Sequence, residues 1–392
     1  MSRFACGLCV ALVLAVPSGA ADRKGVADRI DTLDGRSFEA AITGVIDATL
    51  QGEGLPGDLK WDAVRRIVRA DPSPLAWTTA VRLRGGGEAA CESVAMADDS
   101  LAAVVSGMKL SLPLNGVAAV LLARPEKHPA LIEAIEKPSR DADLVVVQLD
   151  DGPVTIRGLA TALDAEEVRF QIDGENRSVA RDKLLGIVFA SVGPWAAATS
   201  RLTLVDGSVV PGSLDELRDG NLTWRFNAKH ATAIPWDKIA SIENASNRLV
   251  FLSDLRPVAV VEETLVSAAR PWKADASVLG APMRLGATTY AKGLGVHSRC
   301  QLTYDVPIGA KSFLATIGLD AAAGVQGECG FRVTLDGREV FHKLVRKTDP
   351  PTPIQVDLRS AKRIVLIVDP GEGLDDGDLA NWADARFLKT GR

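Results

Sequence analysis

Several residue types that enzymes use for chemistry are scarce in this chain. Its 392 residues include only 4 histidines, 5 cysteines and 2 tyrosines. The histidines form no HExxH pair, and no G-x-S-x-G elbow, Walker A loop or dinucleotide fingerprint occurs. The alternating strand–helix pattern of a (β/α)₈ barrel is missing as well. We therefore expect a protein that is not an enzyme. A glycosidase with an unfamiliar carboxylate pair is the remaining catalytic alternative, because aspartate and glutamate are plentiful.

Long apolar runs and an excess of positive charge are also missing. No stretch reaches eighteen uninterrupted apolar residues, so no membrane-spanning helix is predicted. The chain has 45 basic and 50 acidic residues and a net charge of −5. This balance gives no general attraction to nucleic acid or to an anionic membrane, and neither is expected as a partner.

The first residues have the pattern of a sorting signal. Arg3 is followed by an apolar segment over residues 4–16, and residues 17–21 are small enough for signal peptidase. We predict a signal peptide over residues 1–21, cleaved after Ala20 or Ala21. The protein is therefore expected to be exported, to the periplasm or out of the cell.

Three cysteines remain after such processing. Cys300 and Cys329 both lie in the C-terminal part, and an oxidising compartment permits one disulfide between them. Cys91 would then stay unpaired. The alternative is that all three are small buried thiols.

The N-terminal part contains a repeated pattern. Alternating residues that end in a glycine turn occur at 30–35, 81–86, 147–152 and 202–207. A second shared pattern follows each turn, and its first apolar positions are Val64, Val117, Leu184 and Ile239, in steps of 53, 67 and 55 residues. The long step contains an insert at 128–141 with a short predicted helix around 131–135. A period near fifty residues indicates repeated supersecondary units.

Each unit has room for four or five short strands, enough for a small SH3-like or Sm-like barrel. The shared pattern predicts a one-turn helix that leads into a closing strand. We expect two such repeats over residues 22–125, a linker with the helix over 126–142 and two more repeats over 143–246. A single irregular all-β domain is the alternative. Trp61 and Trp236 occupy the same place in their repeats, either as ligand platforms or as core residues.

Two segments in the C-terminal part carry the most specific signal. Residues 292–298 read K-G-L-G-V-H-S, and residues 381–387 read N-W-A-D-A-R-F. Short alternating strands with regular turns lie between them, which is typical of a β-sandwich. Together these motifs resemble the NPCBM domain, a carbohydrate-binding type of module in secreted bacterial proteins. The resemblance implies a galactose-binding-like jelly-roll sandwich over residues 247–392 and a preference for galactose-type glycans.

The resemblance also implies where a sugar would bind. The candidate carbohydrate-binding residues are His297, Asn381, Trp382, Asp384 and Arg386. Trp382 would stack on a sugar ring, His297 would bond to a hydroxyl, and Asp384 with Arg386 would orient hydroxyls. The alternatives are that Trp382 packs in the sandwich, that His297 pins a loop and that the Asp–Arg pair bridges strands.

The acidic segment 369–378 suggests a metal. Modules of this architecture often hold a structural Ca²⁺, which takes six to eight oxygen ligands. The candidate ligands are Asp320, Asp375, Asp376 and Asp378. The alternative is a solvated acidic loop, and no other cofactor is expected.

These patterns predict an exported, all-β, non-catalytic protein that binds glycans through its C-terminal domain. The first alternative is a cell-envelope assembly protein whose repeats contact envelope proteins. The second is an accessory part of a glycoside hydrolase system.

Overall fold

The computed structural model describes residues 27–190, 199–227, 229–263, 270–371 and 377–390. The predicted signal peptide, Asp375 and Asp376 lie outside these ranges. The described chain is almost entirely β, as the alternating patterns predict, with one α-helix.

The N-terminal part consists of four units of short strands. Unit 1 contains β1 (Asp28–Thr32), β2 (Ser37–Ile46), β3 (Thr49–Glu53) and β4 (Val64–Val68). Unit 2 contains β5 (Ala80–Leu83), β6 (Gly87–Ala90), β7 (Ser93–Ala97), β8 (Ser100–Val105), β9 (Met108–Pro113) and β10 (Val117–Leu121). Unit 3 contains β11 (Asp143–Leu149), β12 (Gly152–Leu163), β13 (Glu167–Ile172), β14 (Glu175–Ala180) and β15 (Leu184–Val188). Unit 4 contains β16 (Ser200–Leu204), β17 (Val209–Arg218), β18 (Asn221–Arg225), β19 (Ala231–Pro235) and β20 (Ile239–Asn244).

A one-turn 3-10 helix precedes the last strand of every unit, as the shared sequence pattern predicts. These turns are Trp61–Ala63, Leu114–Gly116, Arg181–Lys183 and Trp236–Lys238. The apolar residue that follows each turn is buried. The turn therefore sets the direction in which the closing strand enters the core.

The four units pair in a nested order. Closing strands β4 and β20 lie side by side, so units 1 and 4 share a nine-stranded sheet. In the same way β10 pairs with β15, and units 2 and 3 share an eleven-stranded sheet. Strand β17 also pairs with β2 at Leu217 and Val45, which closes a ring of strands from both units. The SH3-like or Sm-like form of a single unit stays a prediction, since strands are shared across the expected division at 126–142.

The predicted helix in the insert is present as α1 (Pro129–Glu136). Its buried residues Leu131 and Ala134 pack on the outer face of the unit 2–3 sheet, against Leu144 and Leu185. The inner face of that sheet joins the large core shared by all four units. This part of the sheet is covered on both faces.

The C-terminal domain is a sandwich of two antiparallel sheets. Its strands are β21 (Leu249–Phe251), β22 (Ala259–Glu262), β23 (Lys273–Ala274), β24 (Met283–Leu285), β25 (Thr288–Tyr290), β26 (Gly293–His297), β27 (Cys300–Asp305), β28 (Ala310–Leu319), β29 (Glu328–Leu335), β30 (Arg338–Arg346), β31 (Thr352–Asp357), β32 (Arg363–Pro370) and β33 (Leu379–Lys389). One sheet has the order β23-β26-β33-β28-β31, with β21 also on β33. The other has the order β22-β27-β32-β29-β30.

The sandwich also contacts unit 1 directly. Leu33 of the first hairpin packs against Leu314 of β28 and Leu388 of β33. Arg248 donates from Nη1 to the Asp62 carbonyl at 3.3 Å. The N-terminal units therefore cover part of the β28–β33 face of the sandwich.

Among the described residues, no helix has the length and apolar character needed to cross a membrane.

Candidate functional site

The structure distributes the predicted carbohydrate-binding residues over three places. Trp382 lies in the core of the sandwich, and Asp384 with Arg386 lies at the contact with unit 1. His297 and Asn381 lie at one end of the sandwich, near Asp320 and Asp378. The five residues do not form one binding face.

Trp382 is a core residue, so the prediction that it stacks on a sugar is wrong. Its side chain is only 1% exposed. The ring meets Phe331 edge-on at a centroid distance of 5.0 Å and lies 6.3 Å from Phe313. Strand β33 is central in its sheet, and its other face is covered by the β24–β25 hairpin through Met283. Alternation could not identify a solvent face because this strand has none there.

Arg386 is buried and Asp384 is half-buried, and both are structural groups, which corrects their assignment to sugar binding. Arg386 is 5% exposed and donates from Nη1 to Asp384 Oδ2 at 2.9 Å. Arg65 of unit 1 binds the same carboxylate through both terminal nitrogens, with Nη2 2.6 Å from Oδ1. Burial lowers the pKa of Arg386 to about 10, and the Asp384 charge opposes this shift. Both carboxylate oxygens of Asp384 therefore accept hydrogen bonds from arginines at the contact between the domains.

The backbone explains why Asp384 reaches unit 1. The β28–β33 register shifts between Leu314 and Thr316, and Asp384 occupies the bulge on β33 with φ of 57°. Aspartate tolerates this left-handed conformation better than most residues do. The bulge turns the carboxylate outward from the sheet, toward Arg65.

Asp320 organises a polar cluster at one end of the sandwich. Its Oδ2 accepts hydrogen bonds from Asn381 Nδ2 at 2.8 Å and from the Arg284 backbone at 3.1 Å. Its Oδ1 accepts from the Ala322 backbone at 3.0 Å. Asp320 and Asn381 are both buried, so these bonds fix the ends of β28 and β33 in place.

His297 and Asp378 lie beside this cluster and are buried too. Asp378 Oδ1 accepts from the Glu328 backbone at 3.3 Å. Burial raises the pKa of Asp378, while the neighbouring Ser298 hydroxyl and the Glu328 amide act in the opposite direction. Within the described ranges, His297 Nδ1 and Asn381 Oδ1 have no hydrogen-bond partner. These groups support the loops above them and do not face solvent.

We name this region the loop end, defined by the chain segments 320–327, 346–351 and 377–378 above the cluster. The segments are tied together, since Lys347 donates from Nζ to the Asp320 carbonyl at 2.5 Å. The Gly324 amide bonds to the Gly377 carbonyl at 3.3 Å. Arg346 donates from Nε to Glu328 Oε2 at 2.5 Å, with its side chain largely exposed. The loop end presents cationic donors on an ordered base.

Arg346 and Lys347 of the loop end, and Arg284 beside it, are cationic groups that were not predicted from the sequence. Arg346 and Lys347 end the β29–β30 hairpin just before the T-D-P-P turn. A cationic pair at the end of a strand, followed by a proline turn, was the available signal. Arg284 had no comparable signal, because its position depends on the long-range contact with Asp320.

The described residues do not support Asp320 as a calcium ligand. Both of its oxygens accept N–H donors, and such donors repel a cation at the same site. No group of three or more His, Cys, Asp or Glu side chains suited to a metal occurs in the described part of the chain. Asp375 and Asp376 lie outside that part.

The predicted disulfide is not formed. Cys300 on β27 and Cys329 on β29 are both free, and β32 lies between their strands. Two strand spacings separate the Cα atoms of Cys300 and Cys329 by at least about 9 Å, which is beyond the reach of a disulfide. The alternative, that all three cysteines are buried thiols, is confirmed.

The paired tryptophans of the repeats are packing residues. Trp61 and Trp236 are half-buried against the shared core. Arg69 lies over the Trp236 ring, with its guanidinium carbon 4.4 Å from the ring centroid. The Arg69 side chain therefore occupies a face of the Trp236 ring on which a sugar could stack.

Two facing antiparallel sheets make the C-terminal part a β-sandwich module appended to a repeated β structure. Residues 248–388 match the family model described as the NPCBM/NEW2 domain. The resemblance carried by the two sequence motifs is thus confirmed.

The chain is similar to one protein with an enzyme name and to solved structures of CBM51 modules. Over 110 residues the chain is 34% identical to the "Putative endo-alpha-N-acetylgalactosaminidase" of Renibacterium salmoninarum, which is 28% of this chain but only 7% of that protein. CBM51 from Clostridium perfringens GH95, solved with methyl-galactose, is 23% identical over 36% of this chain and 99% of its own, with a TM-score of 0.33. The tandem CBM51 modules of a family 98 glycoside hydrolase from Streptococcus pneumoniae are 12% identical over 79% and 88%, also with a TM-score of 0.33.

Proposed function

We propose that this chain is an exported, non-catalytic protein that binds a glycan at the loop end of its C-terminal domain. The observation that carries the proposal is the NPCBM/NEW2 match over residues 248–388. The domain's opposite end lies near its chain termini, where the Thr390 amide bonds to the Gly309 carbonyl at 3.0 Å. The loop end lies away from both this region and the contact with unit 1.

The loop end suits a polar ligand with many hydroxyl groups. Arg284 and Arg346 have exposed side chains, and Lys347 is half-buried, so all can donate charge-assisted hydrogen bonds. The buried bonds of Asp320 hold the loops in one conformation before the ligand arrives. Less conformational entropy is then lost on binding. Affinity should still be modest, because each bond replaces one to water.

Glycans that contain N-acetylgalactosamine or galactose are the first to test. The relative from Renibacterium salmoninarum is named for N-acetylgalactosamine chemistry. The family resemblance of the sequence motifs also implies galactose-type sugars.

A glycan array with the full chain tests the site, using two matched arginine variants. Arg346 at the loop end and Arg363 at the opposite end have side chains 62% and 66% exposed, and each faces one carboxylate. Arg346→Ala should weaken glycan binding about three- to tenfold, in line with one exposed charged contact. Arg363→Ala should leave it unchanged. A folded protein that binds no glycan, or equal loss in both variants, would exclude this site.

Export is proposed on the signal-like pattern over residues 1–21. Expression of the full chain in a bacterium with cell fractionation tests it. A mature N-terminus at Ala21 or Asp22 in the periplasm or medium is the expected result. Retention of the intact leader inside the cell would contradict export.

A further inference from the structure

A cavity lies in the N-terminal part, outside the segment that matches the family model. It is a cleft of about 920 Å³ where units 2, 3 and 4 meet. We name it the junction cleft, and its polar lining includes Arg84, Asp99, Asn115, Arg140, Lys229 and His230. No described residue of the matched segment 248–388 lines it. Its volume falls within the range of about 300–1,000 Å³ that is usual for small-molecule sites.

The floor of the junction cleft is fixed by a buried carboxylate. Asp143 Oδ1 accepts from the Ala190 backbone at 2.8 Å, and Oδ2 accepts from the Ala160 backbone at 2.9 Å. Arg84 donates from Nη2 to the Ala190 carbonyl at 2.6 Å. Burial lowers the pKa of Arg84, and the nearby Asp143 charge opposes this shift. The floor is therefore ordered, and its carboxylate is already satisfied.

On the unit 4 side of the cleft, Asn227 holds the His230 ring in place. Asn227 Oδ1 accepts from the His230 backbone at 2.9 Å and lies 3.0 Å from His230 Nδ1. An amide oxygen only accepts, so Nδ1 donates to it, and Nε2 is the ring nitrogen left for a ligand. Across the cleft, Leu159 is 58% exposed and offers an apolar wall.

Some charged side chains at the rim of the cleft are paired with neighbours, and others are not. Asp141 is bonded to Ser139 at 2.6 Å and to Arg157 at 2.9 Å. By contrast, the side chains of Arg140 and Lys229 form no hydrogen bond or ion pair with any described residue. They reach the cleft from different parts of the fold, since Arg140 precedes β11 and Lys229 lies in the β18–β19 turn. Asp99 is the rim carboxylate left to oppose these two cations.

We propose that the junction cleft binds a short acidic saccharide, a sugar chain that carries carboxylate groups. Sugar hydroxyls donate and accept at once, which matches the mixture of Arg84, Asn115 and His230. The apolar C–H face of a sugar ring fits Leu159. The saccharide's carboxylates would bond to Arg140 and Lys229, two cations whose side chains have no partner among the described residues.

Isothermal titration of the full chain with trigalacturonate tests the proposal. The double variant Arg140→Ala/Lys229→Ala should bind it about tenfold more weakly, as expected for two exposed charged contacts. Lys137→Ala is the matched control, because it removes an exposed cation three residues from Arg140 and outside the cleft. It should change the affinity less than about twofold. The neutral methyl ester of trigalacturonate should bind the wild type as weakly as the acid binds the double variant.

Three outcomes would overturn the junction cleft as an acidic-saccharide site. They are no measurable binding at millimolar trigalacturonate, equal weakening by Lys137→Ala, and tighter binding of a triglutamate peptide than of the sugar. The Arg346→Ala variant separates this site from the loop end. It should leave trigalacturonate binding unchanged, so that failure at one site is not mistaken for failure at the other.

Discussion

Arg65 and Asp384 lie 319 residues apart in sequence and form a two-pronged ion pair between unit 1 and the C-terminal sandwich. Arg386 donates to the same carboxylate from inside the sandwich. One carboxylate therefore pairs with a cation from each domain. A residue of the family-like N-W-A-D-A-R-F motif thus acts in domain docking in this chain.

Replacement of Asp384 should destabilise the whole chain. Asp384→Asn keeps a side chain that tolerates the left-handed backbone but removes the carboxylate that Arg65 and the buried Arg386 both contact. We expect a loss of about 3 kcal/mol in the free energy of unfolding, measured by urea titration. Asp305→Asn is the control, since its pair with Arg363 is 66% exposed on both sides and should matter by less than about 0.5 kcal/mol. Equal losses would contradict the docking role.

Trp382→Ala should act through the core. Its ring fills the space between Phe313 and Phe331, so truncation leaves a cavity and lowers the free energy of unfolding by about 3–5 kcal/mol. Trp61→Ala, at a half-buried site in unit 1, should cost less. Thermal and urea unfolding measure both variants. A Trp382→Ala protein of wild-type stability that fails to bind glycans would restore the stacking hypothesis.

The thiols should be unreactive in the folded state. Burial raises the pKa of Cys91 and of Cys300 to about 12, and it also raises the pKa of Cys329. Ellman's reagent at pH 8 should therefore modify none of them quickly in protein made without residues 1–21, and all three after denaturation. Dithiothreitol should leave the unfolding midpoint unchanged. Rapid labelling of Cys300 in the folded protein, or a midpoint lowered by reductant, would contradict free buried thiols.

The same shift gives a pH dependence with a defined sign. The folded state holds these thiol protons more tightly than the unfolded state, in which the pKa is near 9. The stabilisation is complete below pH 9 and is lost as the pH rises from 9 toward 12. Cys91→Ala should flatten this part of the stability curve. An unchanged slope in that variant would count against the raised pKa of Cys91.

Asp320→Ala should loosen the loop end. The substitution leaves the Arg284 and Ala322 amides and the Asn381 side chain without their acceptor, at a cost of about 3 kcal/mol. Hydrogen exchange should become faster at Arg284 and Ala322. Asp349→Ala is the control, since the Asp349 carboxylate accepts a single bond from the Arg346 amide near solvent. Unchanged exchange in Asp320→Ala would show that the cluster does not order the loops.

The local structure of the repeats was predictable from sequence, and their assembly was not. The shared apolar positions predicted each one-turn helix and closing strand, because the spacing of buried residues is a local property. Ile67 and Ile242 hold the same place in their patterns, and they pair directly across β4 and β20. Nothing in a single unit's pattern states which other unit its edge strand will meet.

In the C-terminal domain the motifs identified the family and the strands but not the roles of the motif residues. Asn381 and Asp320 were both expected to be functional, and the structure brings them together as a buried support. Trp382 and Asp384 lie two residues apart on β33, and alternation predicts that they share a face. The bulge breaks that alternation and sends Asp384 to unit 1. A register shift set by tertiary contacts cannot be read from alternation alone.

The nested pairing of the units also sets the order in which their closing strands can pair during synthesis. β4 is synthesised early, but its partner β20 follows only after units 2 and 3, which can pair with each other first. Until residue 244 has been made, unit 1 carries an unpaired strand edge, the kind of surface that joins other chains when concentration is high. The contacts that complete it have large sequence separations, which slows folding. Newly made chains of this protein are thus most exposed to self-association in the interval between the synthesis of β4 and that of β20.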